Sequence, residues 1–477
     1  MAVTADRERG LSVDWITTAK RAYAGLPPVL RGPAASVYGR YLRWWRYGPD
    51  VERLVAEAVD REDWSADRWS SYHEQRLDNL LQRAATHVPH YRAAWDARRA
   101  AGDRSDWHDL RSWPILNKED LRAAPRAFVA DDTHPARLLK VSTSGTSGSP
   151  VTMWRTLAAS RGWFALFEAR TRRWYGVDRH VPWAILGGQL VVPATQSQPP
   201  FWVWNAAFRQ LYLSTMHLEP RNVRAYLGAL EHHGVEYLFG YASSAYWLAR
   251  LTLEAGLEAP QLRVVISNAE PLSPMQRRII GEAFRCPVRD TYGMVESVAG
   301  GSECDMGVMH LWPEVGLVEV LGDDDLPVPP GAVGRFVCTG LLNDAMPLIR
   351  YEVGDRGSLL PPTEVPHACG RRLPVVGSIE GRSSDNLVTP EGRRIFWINP
   401  IFYDVPVREA QVIQEAVDDV RVLVVPDTGF VTRHEGEIAR RLVDRLGPSV
   451  GIRVERVASI PRGPNGKFRA VVSRVRA

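Results

Sequence analysis

Leu262-Arg263-Val264-Val265-Ile266-Ser267 runs directly into Asn268-Ala269-Glu270-Pro271-Leu272 and then into Ser273-Pro274-Met275. The first six residues are a mostly apolar run of strand length, bounded by turn-forming residues. Residues 273–284 read as a helix with Pro274 in its first turn, where a missing N–H has no partner to lose. Strand, turn and helix follow one another with no spare chain.

The same alternation extends toward the N-terminus. Residues 157–175 read as helix, with Gly176 at the C′ position. A buried strand is expected over 181–186, a helix over 219–233, a strand over 235–239, and a helix over 243–255 ended by Gly256. Strands alternating with helices predict an α/β fold with parallel sheets covered by helices. From 315 to 350 the pattern changes to short strands around Gly331 and Gly334, a small β subdomain. The last stretch reads as a small α+β unit, with strands over 409–416, 420–425 and 452–457 and a helix over 435–446. The composition shift at Gly381-Arg382-Ser383-Ser384 places the boundary, giving an N-terminal domain over 1–381 and a C-terminal domain over 382–477.

Ahead of the core, residues 1–67 are expected to form a helical extension packed on the main domain. A membrane-touching or partner-touching surface helix is the alternative for 1–50. Gly25-Leu26-Pro27-Pro28 and Gly32-Pro33 are expected to break its apolar pattern. Residues 68–102 look helical, with Leu77, Leu80, Leu81 and Ala84 on one face and Pro89 and Tyr91 as the stop. Asn117 suits a helix N-cap.

The bulk composition excludes several classes. The 477 residues are 45% hydrophobic and 24% charged with a net charge of +4, ordinary globular values that do not call for nucleic acid. Four cysteines are too few for a disulfide scaffold, and no apolar run is long enough to span a bilayer, so a cytoplasmic location is expected. Lysine occurs only at 20, 118, 140 and 467 among 59 basic residues, so each lysine kept is informative.

Between the apolar runs Leu139-Lys140-Val141 and Val151-Thr152-Met153-Trp154 lie four serines, two threonines, two glycines and a proline. Small residues let backbone N–H groups approach an anion, and the hydroxyls add donors, so a phosphate-cradling loop is one reading. A flexible Ser/Gly linker is the other. The stretch lacks the Gly-Lys-Ser/Thr ending of a Walker A loop.

Further motifs follow in order: Asn268-Ala269-Glu270-Pro271, Asp290-Thr291-Tyr292-Gly293-Met294-Val295-Glu296, Arg350-Tyr351-Glu352-Val353-Gly354-Asp355, Gly381-Arg382-Ser383-Ser384-Asp385 and Pro461-Arg462-Gly463-Pro464-Asn465-Gly466-Lys467. With the Ser/Thr/Gly loop, they resemble the adenylate-forming superfamily of acyl-CoA synthetases. Within it the resemblance is to the phenylacetate–CoA ligase-like branch, which includes homologues from capsular polysaccharide pathways. The resemblance runs from Tyr72 to the C-terminus.

The resemblance implies a large N-terminal domain, a small mobile C-terminal lid and a set of site residues. Ser142, Thr143, Ser144, Gly145, Thr146, Ser147 and Gly148 would supply donors to the β- and γ-phosphates of ATP, with Thr146 among the catalytic residues. Ser149 stands where the family often carries a lysine. Glu296 matches the magnesium-binding carboxylate, with Tyr292 and Gly293 lining the adenine and acyl pocket. Ala269, Glu270 and Pro271 match the segment against which adenine stacks. Asp355 matches the acceptor of the ribose hydroxyls, and Arg382 the arginine beside ribose and phosphate at the hinge. Gly240, Tyr241 and Ala242 match the acyl-contacting region, and Lys467 the catalytic lysine. Cys304, His310, His367 and Cys369 fall where the branch often carries Cys and His, and are a candidate structural zinc set.

The expected activity is ATP-dependent formation of an acyl-adenylate with Mg²⁺, then acyl transfer to CoA, an aryl acid being one candidate substrate. An amide-forming ligase acting on an amine or amino sugar, and a catalytically silent nucleotide-binding homologue, are the alternatives. The expected partners are the acid, ATP and CoA, with a homodimer allowed.

Overall fold

The structure is a computed structural model that describes residues 6–7, 23, 25–142, 151–188, 191–193, 195–361, 369–382, 387–390, 394–395, 399–402, 405–462 and 468–475. One eight-stranded sheet organises the N-terminal domain. Its centre is five parallel strands, in spatial order Gln210–Ser214, Trp183–Gly187, Tyr237–Tyr241, Val264–Asn268 and Val288–Gly293. Both flanks are antiparallel: Trp202–Asn205 on one side, Gly300–Glu303 and then Met309–Leu311 on the other. The sheet is therefore mixed rather than purely parallel. Antiparallel edge strands on a parallel centre are common, because hairpins add strands without a helical crossover.

Alternation along the strands explains why both faces are covered. Ala184, Leu186, Leu238 and Val265 point to one face, under Tyr226, Leu230, Leu248 and Ile280 from the helices. Trp183, Ile185, Tyr237, Val264 and Ile266 point to the other, with Val177. The helix predicted over 157–175 is present but not uniform. It is α-helical over Leu157–Phe167, passes through a π segment at Glu168–Arg172 and a 3₁₀ turn at Arg173–Tyr175, and ends at Gly176 with φ 68°. The π segment is wholly buried, and its two arginines are paired, which offsets the cost of burying their charge: Arg170 on Glu314 at 2.6 Å and Arg172 on Glu168 at 2.8 Å. Helix Pro274–Phe284 is capped by Ser273 in a reciprocal capping box with Gln276.

An antiparallel sheet of Gly316–Leu321, Gly334–Gly340, Tyr351–Leu359 and Val376–Arg382 forms the β subdomain. The C-terminal domain is a four-stranded sheet in the order Gly451–Arg456, Asp419–Pro426, Val407–Ala416, Val471–Ser473. Ile438, Leu442 and Leu446 on helix Thr432–Leu446 repeat at four-residue steps and pack on Val412, Val420, Val422 and Val424.

Two expectations are corrected. Gly32-Pro33 does not interrupt the N-terminal helix, which runs unbroken over Pro28–Arg46 with Pro33 inside it. The bond Pro33 cannot make belongs to the carbonyl of Val29, a residue 79% exposed where water can serve instead. Pro89 does stop the helix Ala66–His87, but it also opens a second one, Pro89–Ala100, as its first residue.

Candidate functional site

Three of the predicted segments lie side by side at the carboxyl ends of adjacent parallel strands, where open α/β sheets bind ligands. Gly240 and Tyr241 end one strand and Ala242 opens the helix after it. Ala269-Glu270-Pro271 follows the next, and Tyr292-Gly293 ends the third. Glycine is required at 240 because a Cβ there would stand 2.3 Å from the Leu186 carbonyl oxygen. Burial, with the Glu270 carboxylate nearby, pushes the Tyr241 phenol up to about 12, so it remains a proton donor.

The buried polar atoms without a hydrogen-bond partner among the described residues include Ser243 Oγ and Asn268 Oδ1 in this region. Such atoms are rare in folded proteins and mark places where a ligand or water completes the set. Backbone strain points to the same place. Ala269 (φ 62°), itself a predicted site residue, Ser297 (φ 53°), next to Glu296, and Arg350 (φ 47°), next to Tyr351, all adopt left-handed conformations.

Glu296 stands at the next turn along. Its Oε1 accepts from the Tyr351 hydroxyl at 3.3 Å and lies 3.7 Å from Lys118 Nζ. Arg155, fully buried behind it, donates to the Val295 carbonyl. Burial pulls the Arg155 guanidinium down to about 10, against the pull of Glu296, and it stays charged at neutral pH. One carboxylate thus stands among two cations, an arrangement suited to further negative charge.

The strand Tyr351–Leu359 joins this corner to Asp355. Leu116 bridges Tyr351 in parallel, with Leu116 N–H donating to the Arg350 carbonyl and Glu352 N–H to the Leu116 carbonyl. That bridge fixes Asn117 and Lys118, and Asn117 caps helix Lys118–Ala123 by accepting from Asp120 N–H at 2.9 Å. Asp355 Oδ2 accepts from Tyr292 OH at 2.8 Å, and Asp355 is paired in register with Arg382. Half-buried Asp290 has its carboxyl pushed up to about 7 by desolvation and by the neighbouring Glu303, which Arg277 holds in a two-pronged ion pair.

The C-terminal domain reaches this site. Phe468 N–H donates to Glu270 Oε1 at 2.9 Å, while Ser243 N–H donates to Oε2 at 2.9 Å. Arg250 holds Glu254 at 2.8 Å and also bonds Asp427, and Arg408 holds Glu254 at 2.9 Å. Glu270 therefore ties the end of the sheet to the residue directly after Lys467.

Cys304, His310 and Cys369 converge, their ligand atoms all within 4.8 Å of one another. His310 Nδ1 faces the Leu373 carbonyl at 3.3 Å, and Nε2 lies 3.5 Å from Cys369 Sγ. That orientation leaves Nε2 to act as a metal ligand, and two thiolates with an imidazole are a zinc-type donor set. The cluster joins the sheet edge to the β subdomain, beside the His310–Val375 bridge.

Thr143, Ser144, Gly145, Thr146, Ser147, Gly148, His367, Ser384 and Lys467 lie outside the described residues. Ser142 closes the strand Leu138–Ser142, which pairs with Thr152–Thr156 on the other side of the loop. Lys118, Arg155, Ser243 and Tyr351 are the site residues that sequence reasoning did not assign. Lys118 alone carried a signal, the scarcity of lysine in the chain.

Residues 387–474 match the CapK C-terminal domain family. Protein CapK of Staphylococcus aureus is 25% identical over 374 residues, 77% of this chain and 81% of that protein. The phenylacetate-coenzyme A ligase of Thermus thermophilus is 28% identical over 483 residues, 89% of this chain and 99% of that protein. The crystal structure of 2-hydroxyisobutyryl-CoA ligase with 2-HIB-AMP, in the postadenylation state, shares the fold. Its TM-score is 0.64 at 22% identity, covering 87% of this chain and 91% of that one. In the thioesterification state the same enzyme gives 0.52 at 20% identity over the same shares. No helix among the described residues is long and apolar enough to cross a membrane.

Proposed function

Because this chain belongs to the adenylate-forming superfamily, in the branch that holds CapK and the phenylacetate-coenzyme A ligases, we propose that it is an AMP-forming carboxylate ligase. It joins an acid to the α-phosphate of ATP, releases pyrophosphate and passes the acyl group to CoA. The observation that carries this reading is the Phe468 amide on Glu270, which brings the chain next to Lys467 to the carboxyl ends of the parallel strands. Fusing two anions needs cations, fixed donors and a dry site, and the neighbouring residues fit those needs.

Asp355 offers two acceptor oxygens to a ribose diol, and Tyr292 holds its carboxylate in place. Arg382 would lie beside the ribose and α-phosphate, with adenine against Ala269-Glu270-Pro271. The acid would enter beside Gly240, Tyr241 and Ala242, with an aryl acid as one candidate. Glu296 provides the hard oxygen that suits Mg²⁺, and that ion would neutralise phosphate charge when bound. Ser142 to Gly148, including Thr146, would donate to the β- and γ-phosphates.

Lys118 would replace the cation that the loop lacks at Ser149. Its ammonium sits on a flexible stem and can exchange the Glu296 carboxylate for a phosphate oxygen. Lys118→Ala should raise the KM for ATP by about tenfold or more, the scale of one charge-assisted hydrogen bond. Lys118→Arg should recover most of that, and transfer from supplied acyl-adenylate should be unaffected. An unchanged KM for ATP in Lys118→Ala removes the residue from the site.

Domain rotation about the segment after Arg382 would separate the two half-reactions. Ser384→Pro restricts φ there, so adenylation and acyl transfer should be impaired unequally. Equal loss in a folded variant counts against a hinge at this position. CoA as acceptor is tested by product analysis with CoA present and absent: a product made only with CoA is expected, and an amide made without it would contradict the assignment.

A further inference from the structure

Given the ligase reading above, we propose that four charges crossed over the domain boundary are positioning residues for adenylation. Arg250 and Glu254 stand on one side, Arg408 and Asp427 on the other. Together they hold the C-terminal domain docked for that step and release it without leaving a charge unpaired. Among the described residues no hydrophobic cluster crosses the boundary. The C-terminal cluster lies wholly from Leu387 onward, and no residue from Leu387 onward joins another cluster. Docking therefore depends on polar contacts, and helix Ala242–Glu254 carries two sets of them. At its first turn Ser243 N–H shares the Glu270 carboxylate with Phe468 N–H of the C-terminal domain. At its last turn Arg250 and Glu254 meet Asp427 and Arg408. The two points lie about 10 Å apart along the helix. One contact would leave the domain free to pivot. Two fix its orientation, and with it the residue that follows Lys467.

The cross is closed on all four sides. Arg250 holds Glu254 at 2.8 Å and bonds Asp427, while Arg408 holds Glu254 at 2.9 Å and lies 3.7 Å from Asp427. Each charge thus meets two of opposite sign. The four side chains are between 15% and 32% exposed, so solvent screens them less than an open surface pair. Two of the four contacts lie within a domain. Arg250 and Glu254 are four residues apart on one helix. Arg408 lies in the strand Val407–Ala416, and Asp427 directly follows its partner Asp419–Pro426, with Asp427 N–H donating to the Pro406 carbonyl at 2.9 Å. When the domains part, each arginine keeps one acid and each acid keeps one arginine. No charge is stranded, which is the event that makes breaking a buried ion pair costly. An apolar interface would instead expose its whole area to water on opening. The cross therefore suits a contact that is made and broken in every catalytic cycle.

The test exchanges the charges within each domain of the full chain, so every variant keeps its net charge and its own neutral pair. Arg250→Glu/Glu254→Arg turns the helix side around, and Arg408→Glu/Asp427→Arg the C-terminal side. The reversed helix pair, glutamate ahead of arginine at a helix C-terminus, is the more favourable order, so the fold should tolerate it. Either exchange alone sets like charges against each other across the boundary. Adenylation, read as pyrophosphate exchange, should then fall about tenfold or more, the scale for coupled charges in one network. Transfer to CoA from supplied acyl-adenylate should fall by less. All four substitutions together restore opposite charges across the boundary and should return adenylation close to the wild-type rate. Small-angle scattering reads docking without catalysis: each exchange alone should enlarge the radius of gyration, and the fourfold variant should reverse the change. The proposal is overturned if either exchange alone leaves adenylation and the radius of gyration as in wild type. It is also overturned if both half-reactions fall equally in a folded protein, or if the fourfold variant recovers neither measure. Scattering that follows the predicted order in a protein that exchanges pyrophosphate with no acid supports the cross and overturns the ligase reading alone.

Discussion

Lys467→Ala should lose adenylation by about 10²-fold or more, the scale for removing one electrostatic stabiliser, while acyl transfer from supplied acyl-adenylate continues near its native rate. Base rates favour an exposed, idle lysine. Two observations argue otherwise. Arginine replaces lysine almost everywhere in this chain, yet not here. The next residue, Phe468, is held by its backbone to Glu270, which in turn is held to Ser243 at the start of a core helix. This anchoring, one residue from Lys467, holds only while the C-terminal domain is docked. A lysine ammonium acting at the strand ends would offset the charge that builds as carboxylate meets phosphate, so its effect would belong to the transition state of the first step. Rapid mixing with ATP and acid measures that step, and prepared acyl-adenylate with CoA measures the second. Adenylation that survives the substitution, or both steps falling together in a folded protein, would refute the assigned role.

Cys369→Ser should abolish metal binding and destabilise the fold by on the order of 4 kcal/mol or more, a loss in the range reserved for events such as a lost metal site. Wild-type protein should carry about one zinc per chain. The cluster of Cys304, His310 and Cys369 is a fastening between parts. Leu311 N–H bonds the Pro374 carbonyl, and Arg371 bridges Glu62 at 3.3 Å and Asp305 at 2.7 Å. Binding energy at such a point is folding energy, because the unfolded chain has no preformed site. Chelation should therefore lower the melting temperature of wild type and leave Cys369→Ser unmoved. Cys286→Ser provides the control, being a half-buried thiol outside the cluster. Unchelated protein with no metal would contradict the site.

The elements read most clearly were those whose ends carry local chemistry. Ser273-Pro274, Asn117, Gly176 and Gly256 each place a helix end where it is found, because caps and left-handed turns are written in single residues. Strand bounds were less legible. The strand expected over 235–239 is Tyr237–Tyr241, two residues later, since pairing with its neighbours and not its own composition sets where it stops. The motifs at 240, 269 and 292 could be placed on neighbouring strand ends only through the alternation of strands and helices. Lys118, Arg155 and Tyr351 were invisible as partners of Glu296. They come from three distant parts of the chain, brought together by the Leu116–Tyr351 bridge and by the burial of Arg155. No local pattern encodes such a meeting.

ATP–pyrophosphate exchange across a panel of carboxylic acids tests the central claim most directly. Acid-dependent incorporation of labelled pyrophosphate into ATP by the wild-type protein, lost in Lys467→Ala, is the predicted result. Wild-type protein that binds ATP but catalyses no exchange with any acid in the panel would contradict the account and leave a nucleotide-binding protein without ligase chemistry.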